Sequence, residues 1–313
     1  MDRLRSKRNK TITVSGDEAK ALAARILVPD DLHEKLSFCD TLVNGDLMDV
    51  LDLLPDDFAD LVIADPPYNL SKHFGAASFS SMPADRYEEY LRTWFRKVCG
   101  KLKPDGSLYL CGDWKCSSSL QRVMEEELTV MNRITWQREK GRGASSNWKN
   151  GMEDIWFGVK DPKKYYFDVD AVKLKRRVLA PYKDNGIPKD WAMTEGGAFR
   201  LTYPSNFWDD ISVPFWSMPE NTDHPTQKPE KLMAKLILAS CPEGGIVFEP
   251  FAGSGSACVA ARKLGRHYVG VEIDRQYCLL AAKRLEAAKT DKTIQGYDDG
   301  VFWERNARLL PRK

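Results

Sequence analysis

The chain has 313 residues, 42% of them apolar, and its 47 Lys/Arg against 45 Asp/Glu leave a formal net charge of +2. That length accommodates one large or two small domains with a sizeable core. No apolar run approaches the roughly 18 residues of a membrane span, and seven scattered cysteines without C-x-x-C spacing indicate neither a disulfide framework nor a zinc site.

The charged start from Met1 to Lys10 has no apolar segment behind it, so a cytoplasmic location and no membrane partner are expected. Charge is unevenly placed. Residues 131–190 hold 14 Lys/Arg against 8 Asp/Glu, an excess that suits either a polyanion-facing surface or a solvated basic face.

In chain order, 1–35 read as a charged extension with a short helix at 17–25. Residues 40–46 give a strand and a turn ending in Asp46, an acid that can accept from a ligand amine or cap the helix expected at 47–54. The apolar run Leu61, Val62, Ile63, Ala64 reads as a buried strand closed by Asp65, Pro66, Pro67 and Tyr68. Such a strand carries Asp65 to the carboxyl edge of an open α/β sheet, where ligands bind. Two consecutive prolines remove two N–H donors, which leaves the Asp65 and Pro66 carbonyls without ladder partners. With the Asp65 carboxylate and the flat Tyr68 ring, the spot suits a planar group that donates through an NH₂, such as a nucleobase amine. Taken alone, the tetrapeptide reads equally well as a strand stop.

Residues 69–83 are polar and irregular, placed to act as a lid or a substrate-contacting loop. A helix at 84–102 spaces Tyr87, Tyr90, Leu91, Trp94, Phe95 and Val98 as a core face. A turn at 103–106 and a strand at 107–111 complete a parallel crossover unit, and a helix at 117–128 and a strand at 133–137 follow. The stretch 139–150 is basic and glycine-bearing, and 154–160 recovers a strand. From 161 to 222 the chain is rich in Lys, Arg, Pro and aromatics with little periodicity. Trp191, Tyr203, Phe207, Trp208 and Trp216 divide there between a local core and a nucleic-acid surface.

The pattern is strict again from His224-Pro-Thr226-Gln-Lys228-Pro229, which starts a helix at 230–240. A strand, a glycine turn and a small-residue helix follow, with Glu249, Pro250, Phe251, Ala252, Gly253, Ser254, Gly255 and Ser256 at the turn and the helix at 257–264. The next strand ends in Glu272, Ile273 and Asp274. Glycines at 253 and 255 permit close backbone approach to a ligand, and Glu272 lies 19 residues beyond Gly253 with a carboxylate for two ribose hydroxyls. Cys258 occupies the third glycine position of the dinucleotide pattern, which disfavours a pyrophosphate cofactor and favours a simpler nucleoside.

Together, Asp65-Pro66-Pro67-Tyr68 and the Phe251-x-Gly253-x-Gly255 turn with its strand-end Glu272 resemble the S-adenosylmethionine-dependent DNA amino-methyltransferases. The catalytic motif precedes the cofactor motif, as in the beta-group permutation of that family, and the resemblance covers roughly 38–290. It implies a Rossmann-like class I methyltransferase sheet, α/β, mixed but mostly parallel, with helices on both faces and an inserted target-recognition region. The boundaries read as 1–35 extension, 36–160 catalytic half, 161–222 target-recognition insertion, 223–290 cofactor half and 291–313 C-terminal tail.

By the same resemblance, Asp65 and the Pro66 carbonyl accept from the target amine and Tyr68 stacks on the flipped base. The turn 249–256 lines the methionine part of S-adenosylmethionine, Glu272 holds the ribose, and Ile273 is a further cofactor-binding position. Asp46 sits near the adenine edge, and Thr226 and Lys228 near the carboxylate. Relatives often carry His-Glu where this chain has Met152-Glu153, which leaves a histidine role there lost or moved. Adenine N6 is the expected target and cytosine N4 the close alternative. RNA or protein glutamine methylation is the rival within enzymes, and a catalytically silent nucleic-acid-binding protein the rival outside them. No metal is implied, and no Pro-Cys dipeptide is present of the kind used for covalent attack on cytosine. Implied partners are double-stranded DNA, with a homodimer and a cognate restriction endonuclease acting on the same site left open.

Overall fold

The computed structural model describes residues 7–34, 37–74, 77–138, 145–179, 182–194 and 196–305. The charged residues 1–6 and the basic stretch 139–144 lie outside the described residues.

An eight-stranded sheet organises the chain. Its strands are β1 (Thr41–Asn44), β2 (Ala59–Ala64), β3 (Leu102–Gly112), β4 (Thr129–Gln137), β5 (Met152–Val159), β6 (Phe207–Trp208), β7 (Ile246–Glu249) and β8 (His267–Glu272). They lie in the order β1-β8-β7-β2-β3-β5-β4-β6. All neighbours pair in parallel except β5, which is antiparallel to both β3 and β4. The mixed, mostly parallel sheet is the one the resemblance implied.

Helices are α1 (Gly16–Ala23), α2 (Leu47–Leu51), α3 (Ala84–Lys101), α4 (Ser117–Glu125), α5 (Glu230–Ser240), α6 (Ser256–Lys263) and α7 (Arg275–Ala287). They cover both faces. On one, α2, α3 and α4 bury Val50, Leu51, Tyr87, Leu91, Trp94, Phe95, Leu120 and Val123 against Val62, Leu108 and Phe248. On the other, α5, α6 and α7 bury Leu236, Ile237, Val259 and Leu285 against Leu61, Ile63 and Val247. Burial on both faces explains why β2 reads as a continuous apolar run instead of an alternating one.

Four local readings change. Residues 69–83, read as irregular, include two paired strands, Lys72–Phe74 and Ala77–Phe79, too short to show a period. The turn at 103–106 is a bulge inside β3, where pairing jumps from Ala59↔Leu102 to Leu61↔Ser107. The span 161–222 is not aperiodic coil but contributes Leu174–Arg177, Ala192–Thr194 and Gly197–Thr202 to a second, five-stranded sheet. The same sheet contains Val301–Trp303, parallel to Leu174–Arg177, so this strand of the segment read as a C-terminal tail is structurally part of the insertion. Its apolar run is only three residues long, and a partner more than a hundred residues away gives no local signal.

That second sheet packs on α5 through Val172, Leu174, Phe302, Ala234 and Leu238. Of the aromatics in 161–222, Trp208 is buried in the main core as part of β6 and not in a core local to the insertion, whereas Tyr203, Phe207 and Trp216 are exposed. The N-terminal extension is also docked. Ser15 and Glu18 form a reciprocal capping box on α1, and Lys283 of α7 binds Glu18 at 2.8 Å.

Candidate active site

From β2 the chain crosses through α3 to β3 on one side, whereas from β7 it crosses through α6 to β8 on the other. The strand order therefore reverses between β7 and β2, and a crevice opens at their carboxyl ends, where open α/β sheets bind ligands. A cleft of about 1030 Å³, its mouth included, lies there. Its lining includes Asp65, Pro66, Pro67 and Tyr68 after β2, Glu249 to Ser254 and Ser256 after β7, and Glu272 to Asp274 after β8, except Pro250. Thr226 and Lys228 line it from the turn that precedes α5. Asp46, Pro250 and Gly255 are not among the lining residues.

Asp65 is the centre of a polar network. Its Oδ2 accepts from Lys228 Nζ at 2.6 Å and its Oδ1 from the Tyr68 hydroxyl at 2.8 Å. Glu153 Oε2 lies 3.3 Å from the same hydroxyl and 3.4 Å from Lys228 Nζ, and Arg138 pairs with Glu153 Oε1. Burial opposes the charge on Lys228, but the Asp65 and Glu153 carboxylates outweigh it and hold the lysine above its ordinary range. Burial, then the same two carboxylates, drives the Tyr68 phenol far upward, so it stays a hydroxyl. The Lys228 ammonium also lies 5.2 Å from the Tyr68 ring centre. The Pro67 carbonyl accepts from the Tyr87 hydroxyl of α3 at 3.0 Å, which anchors the proline turn to the core.

Gly253 has φ +52°, and a Cβ built there would stand 2.8 Å from His224 Nε2. The backbone is thus bare where it faces the cleft. His224 packs edge-on to Tyr277 at 4.4 Å, and burial pushes its imidazole down to about 4, so it is neutral at pH 7. Glu272 accepts from the Gly253 N–H and the Asp274 N–H, each at 2.7 Å. Burial raises its carboxyl, and those backbone donors oppose the rise. Each oxygen retains a second lone pair, the acceptor capacity that vicinal hydroxyls require. A mostly apolar cleft with a bare glycine turn and one strand-end acid fits a nucleoside with an amino-acid tail, as S-adenosylmethionine is.

Two candidates have roles other than ligand contact. Asp46 caps α2, accepting from the Met48 N–H at 2.8 Å, so the capping alternative holds, and the residue stands outside the cleft lining. Glu249 touches the cleft, but its carboxylate accepts from the Ala257 and Cys258 N–H groups at 3.1 and 3.0 Å. It caps α6 in place of Gly255, which is left-handed at φ +73° and has no side chain to do so.

Burial raises the Glu249 carboxyl to about 7, with the two backbone donors opposing. A carboxyl raised on folding contributes stability in its neutral form, present below the unfolded value and lost as pH rises through 7. Glu249→Gln cannot ionise and mimics the neutral acid. In the cofactor-free protein its unfolding free energy should match wild type near pH 5 and exceed it near pH 8, by an amount of order 1 kcal/mol, with a higher melting temperature there. Thermal melts across that range check this; a constant difference between variant and wild type would contradict it.

Several site residues escaped the sequence reading. Phe79, His224, Gln227, Met233, Asp274 and Tyr277 line the cleft, and Glu153 completes the Asp65 network. His224 and Gln227 stood inside the strict pre-helix motif, and Asp274 beside Glu272. Glu153 is nearly inaccessible at 3% exposure. Because β5 runs against its neighbours, its amino end lies at the carboxyl edge of the sheet, which brings Glu153 to Asp65. Met152 is exposed on the alternate face of that strand.

A family model described as DNA methylase matches residues 59–283. The type II methyltransferase M.HpaI of Haemophilus parainfluenzae is 30% identical over 259 residues, 82% of this chain and 76% of that protein. The DNA adenine methyltransferase YhdJ of Escherichia coli K12 is 32% identical over 254 residues, 79% of this chain and 83% of that protein. Among solved structures, the M1.HpyAVI–SAM complex superposes with a TM-score of 0.54 at 20% identity, covering 83% of this chain and 98% of that one. The cytosine-N4-specific PvuII DNA methyltransferase gives 0.55 at 16% identity, covering 79% and 89%. The two structures share the fold; the match to the family model and the two sequence relatives carry the assignment. The chain belongs to the N6/N4 DNA methylase family and is an S-adenosylmethionine-dependent DNA amino-methyltransferase.

Proposed function

We propose that this enzyme methylates the exocyclic N6 of adenine within a specific sequence of duplex DNA, acting on a flipped-out base by direct, in-line transfer. The observation that carries the reading is the convergence of the Asp65–Tyr68 turn and the Gly253 turn on one switch-point cleft. Aspartate at the head of the motif, more usual in adenine enzymes, and likeness to a relative named as a DNA adenine methyltransferase favour adenine.

The bound cofactor brings an electrophilic methyl group on a sulfonium. Thr226, Phe251, Ala252, Gly253, Ser254 and Ser256 would hold its amino-acid end, and Glu272 with Ile273 its ribose side. The protein's own work falls to Asp65, Pro66 and Tyr68. An exocyclic amine is a poor nucleophile because its lone pair is delocalised into the ring. Acceptors at Asp65 and the Pro66 carbonyl would draw its N–H bonds out of plane, so catalysis is positioning and electrostatics without a covalent enzyme intermediate. Stacking on Tyr68 offsets the few kcal/mol of unstacking. The second sheet, with residues 161–222 and the strand Val301–Trp303, is the target-recognition unit in this reading.

Cytosine N4 is the second reading, because it presents a similar amine and a structural neighbour is cytosine-N4-specific. Likeness to type II methyltransferases makes a cognate restriction endonuclease a partner to test for, a homodimer is the assembly to test for, and a cytoplasmic location fits. Nucleoside mass spectrometry after incubating the purified chain, labelled S-adenosylmethionine and duplex DNA separates the outcomes. Labelled N6-methyladenine supports the proposal, N4-methylcytosine moves it to the second reading, and unlabelled DNA overturns both.

A further inference from the structure

We propose that Glu153 is a positioning residue for the amine-accepting carboxylate: by sharing the Lys228 ammonium with Asp65, it keeps Asp65 a strong acceptor. The inference rests on the reading of Asp65 as the group that takes the target amine's hydrogen bonds. Lys228 Nζ stands between the two carboxylates, 2.6 Å from Asp65 Oδ2 and 3.4 Å from Glu153 Oε2. The Tyr68 hydroxyl bridges the same pair at 2.8 and 3.3 Å. The side chains of Lys228 and Glu153 are 5% and 4% exposed and that of Asp65 is 18% exposed, so water screens these charges weakly.

A carboxylate committed to a buried ammonium is a poorer acceptor for a neutral amine, since its charge is already compensated. A second carboxylate divides that compensation. Arg138, whose side chain is 27% exposed, pairs with the far oxygen of Glu153 and limits how much negative charge Glu153 lends to the site. The other groups facing Asp65 are its own loop's Tyr68, Cys111 of β3, Tyr87 of α3 and His224 of the turn before α5. Burial keeps the thiol and both phenols protonated and His224 neutral at pH 7. Of the groups named, the balance at Asp65 is therefore set by Lys228, Glu153 and Arg138.

Two variants with opposite signs test this. Glu153→Gln leaves Lys228 to Asp65 alone, whereas Arg138→Ala leaves Glu153 with its full charge. The Asp65 carboxyl-carbon NMR resonance, recorded in cofactor-free protein at pH 7 and assigned with Asp65→Asn, should move in opposite directions in the two. In steady-state assays Glu153→Gln should lower kcat about tenfold or more, with S-adenosylmethionine affinity and KM for DNA within about threefold. The acidic limb of its pH profile should move to lower pH and that of Arg138→Ala to higher pH, and Glu153→Asp should recover part of kcat.

Resonance shifts of the same sign, no shift in either variant, or cofactor affinity falling in step with kcat would overturn the proposal. Where Glu153→Gln fails to fold, the direction of the Arg138→Ala limb decides. Opposite NMR shifts in a protein inactive on DNA would leave the charge-sharing intact and overturn the functional reading instead.

Discussion

Asp65→Ala is expected to lower turnover on DNA by about two to three orders of magnitude while leaving S-adenosylmethionine affinity within about threefold. The separation follows from the geometry. The Asp65 carboxylate contacts Lys228 and Tyr68, whereas the glycine turn and Glu272 approach from β7 and β8. Removing Asp65 does not strand a buried ammonium, because Glu153 remains 3.4 Å from Lys228. The fold should therefore survive the change, and the loss should fall on kcat. Titration calorimetry with the cofactor, run beside single-turnover methylation, separates the two effects. Cofactor affinity that drops as far as turnover would show that Asp65 holds the cofactor and that the roles are misassigned.

Asp210→Ala should produce the largest loss of stability, about 3–5 kcal/mol. Asp210 holds Lys235 Nζ at 2.8 Å and Lys231 Nζ at 2.7 Å, and all three side chains are buried. Burial lowers Lys235 to about 8 even with Asp210 beside it. Without the carboxylate, two lysines of α5 lose their counter-charge in the interior. Lys231 also donates to the Trp303 carbonyl, so the cluster ties α5 to the second sheet. Denaturant unfolding would register the loss, and Asp210→Asn, which keeps one acceptor oxygen but no charge, should fall between. A cost below about 1 kcal/mol would mean that water or rearrangement relieves the two lysines.

What was legible in the sequence and what was not divide along a physical line. Asp65 announced itself because a doubly buried strand must be apolar and must stop, and the two prolines mark where. Gly253 and Gly255 stood out as a G-x-G turn between a strand and a small-residue helix, and the structure gives the physical reason: side chains there would meet His224 and Ala281. The α3 aromatics were spaced at a helical period, and Tyr87, Trp94 and Phe95 are buried as that period requires, with Tyr90 half-buried at the margin. The second sheet was hidden because its strands are two to six residues long, exposed in part, and paired across the whole length of the insertion and beyond it. Glu153 was hidden for a different reason: it reaches Asp65 only because β5 runs antiparallel, which sheet order decides and local pattern does not. Asp46 and Glu249 were visible as acids, but an acid at a strand end can cap the next helix as readily as it can bind a ligand, and both do cap one.

Modification-sensitive sequencing of DNA from a methylation-free host that expresses this chain tests the central claim most directly. N6-methyladenine confined to a single sequence motif, and absent when the host expresses Asp65→Ala, is the predicted result. Unmodified DNA from a host in which the protein is folded and binds S-adenosylmethionine would contradict it.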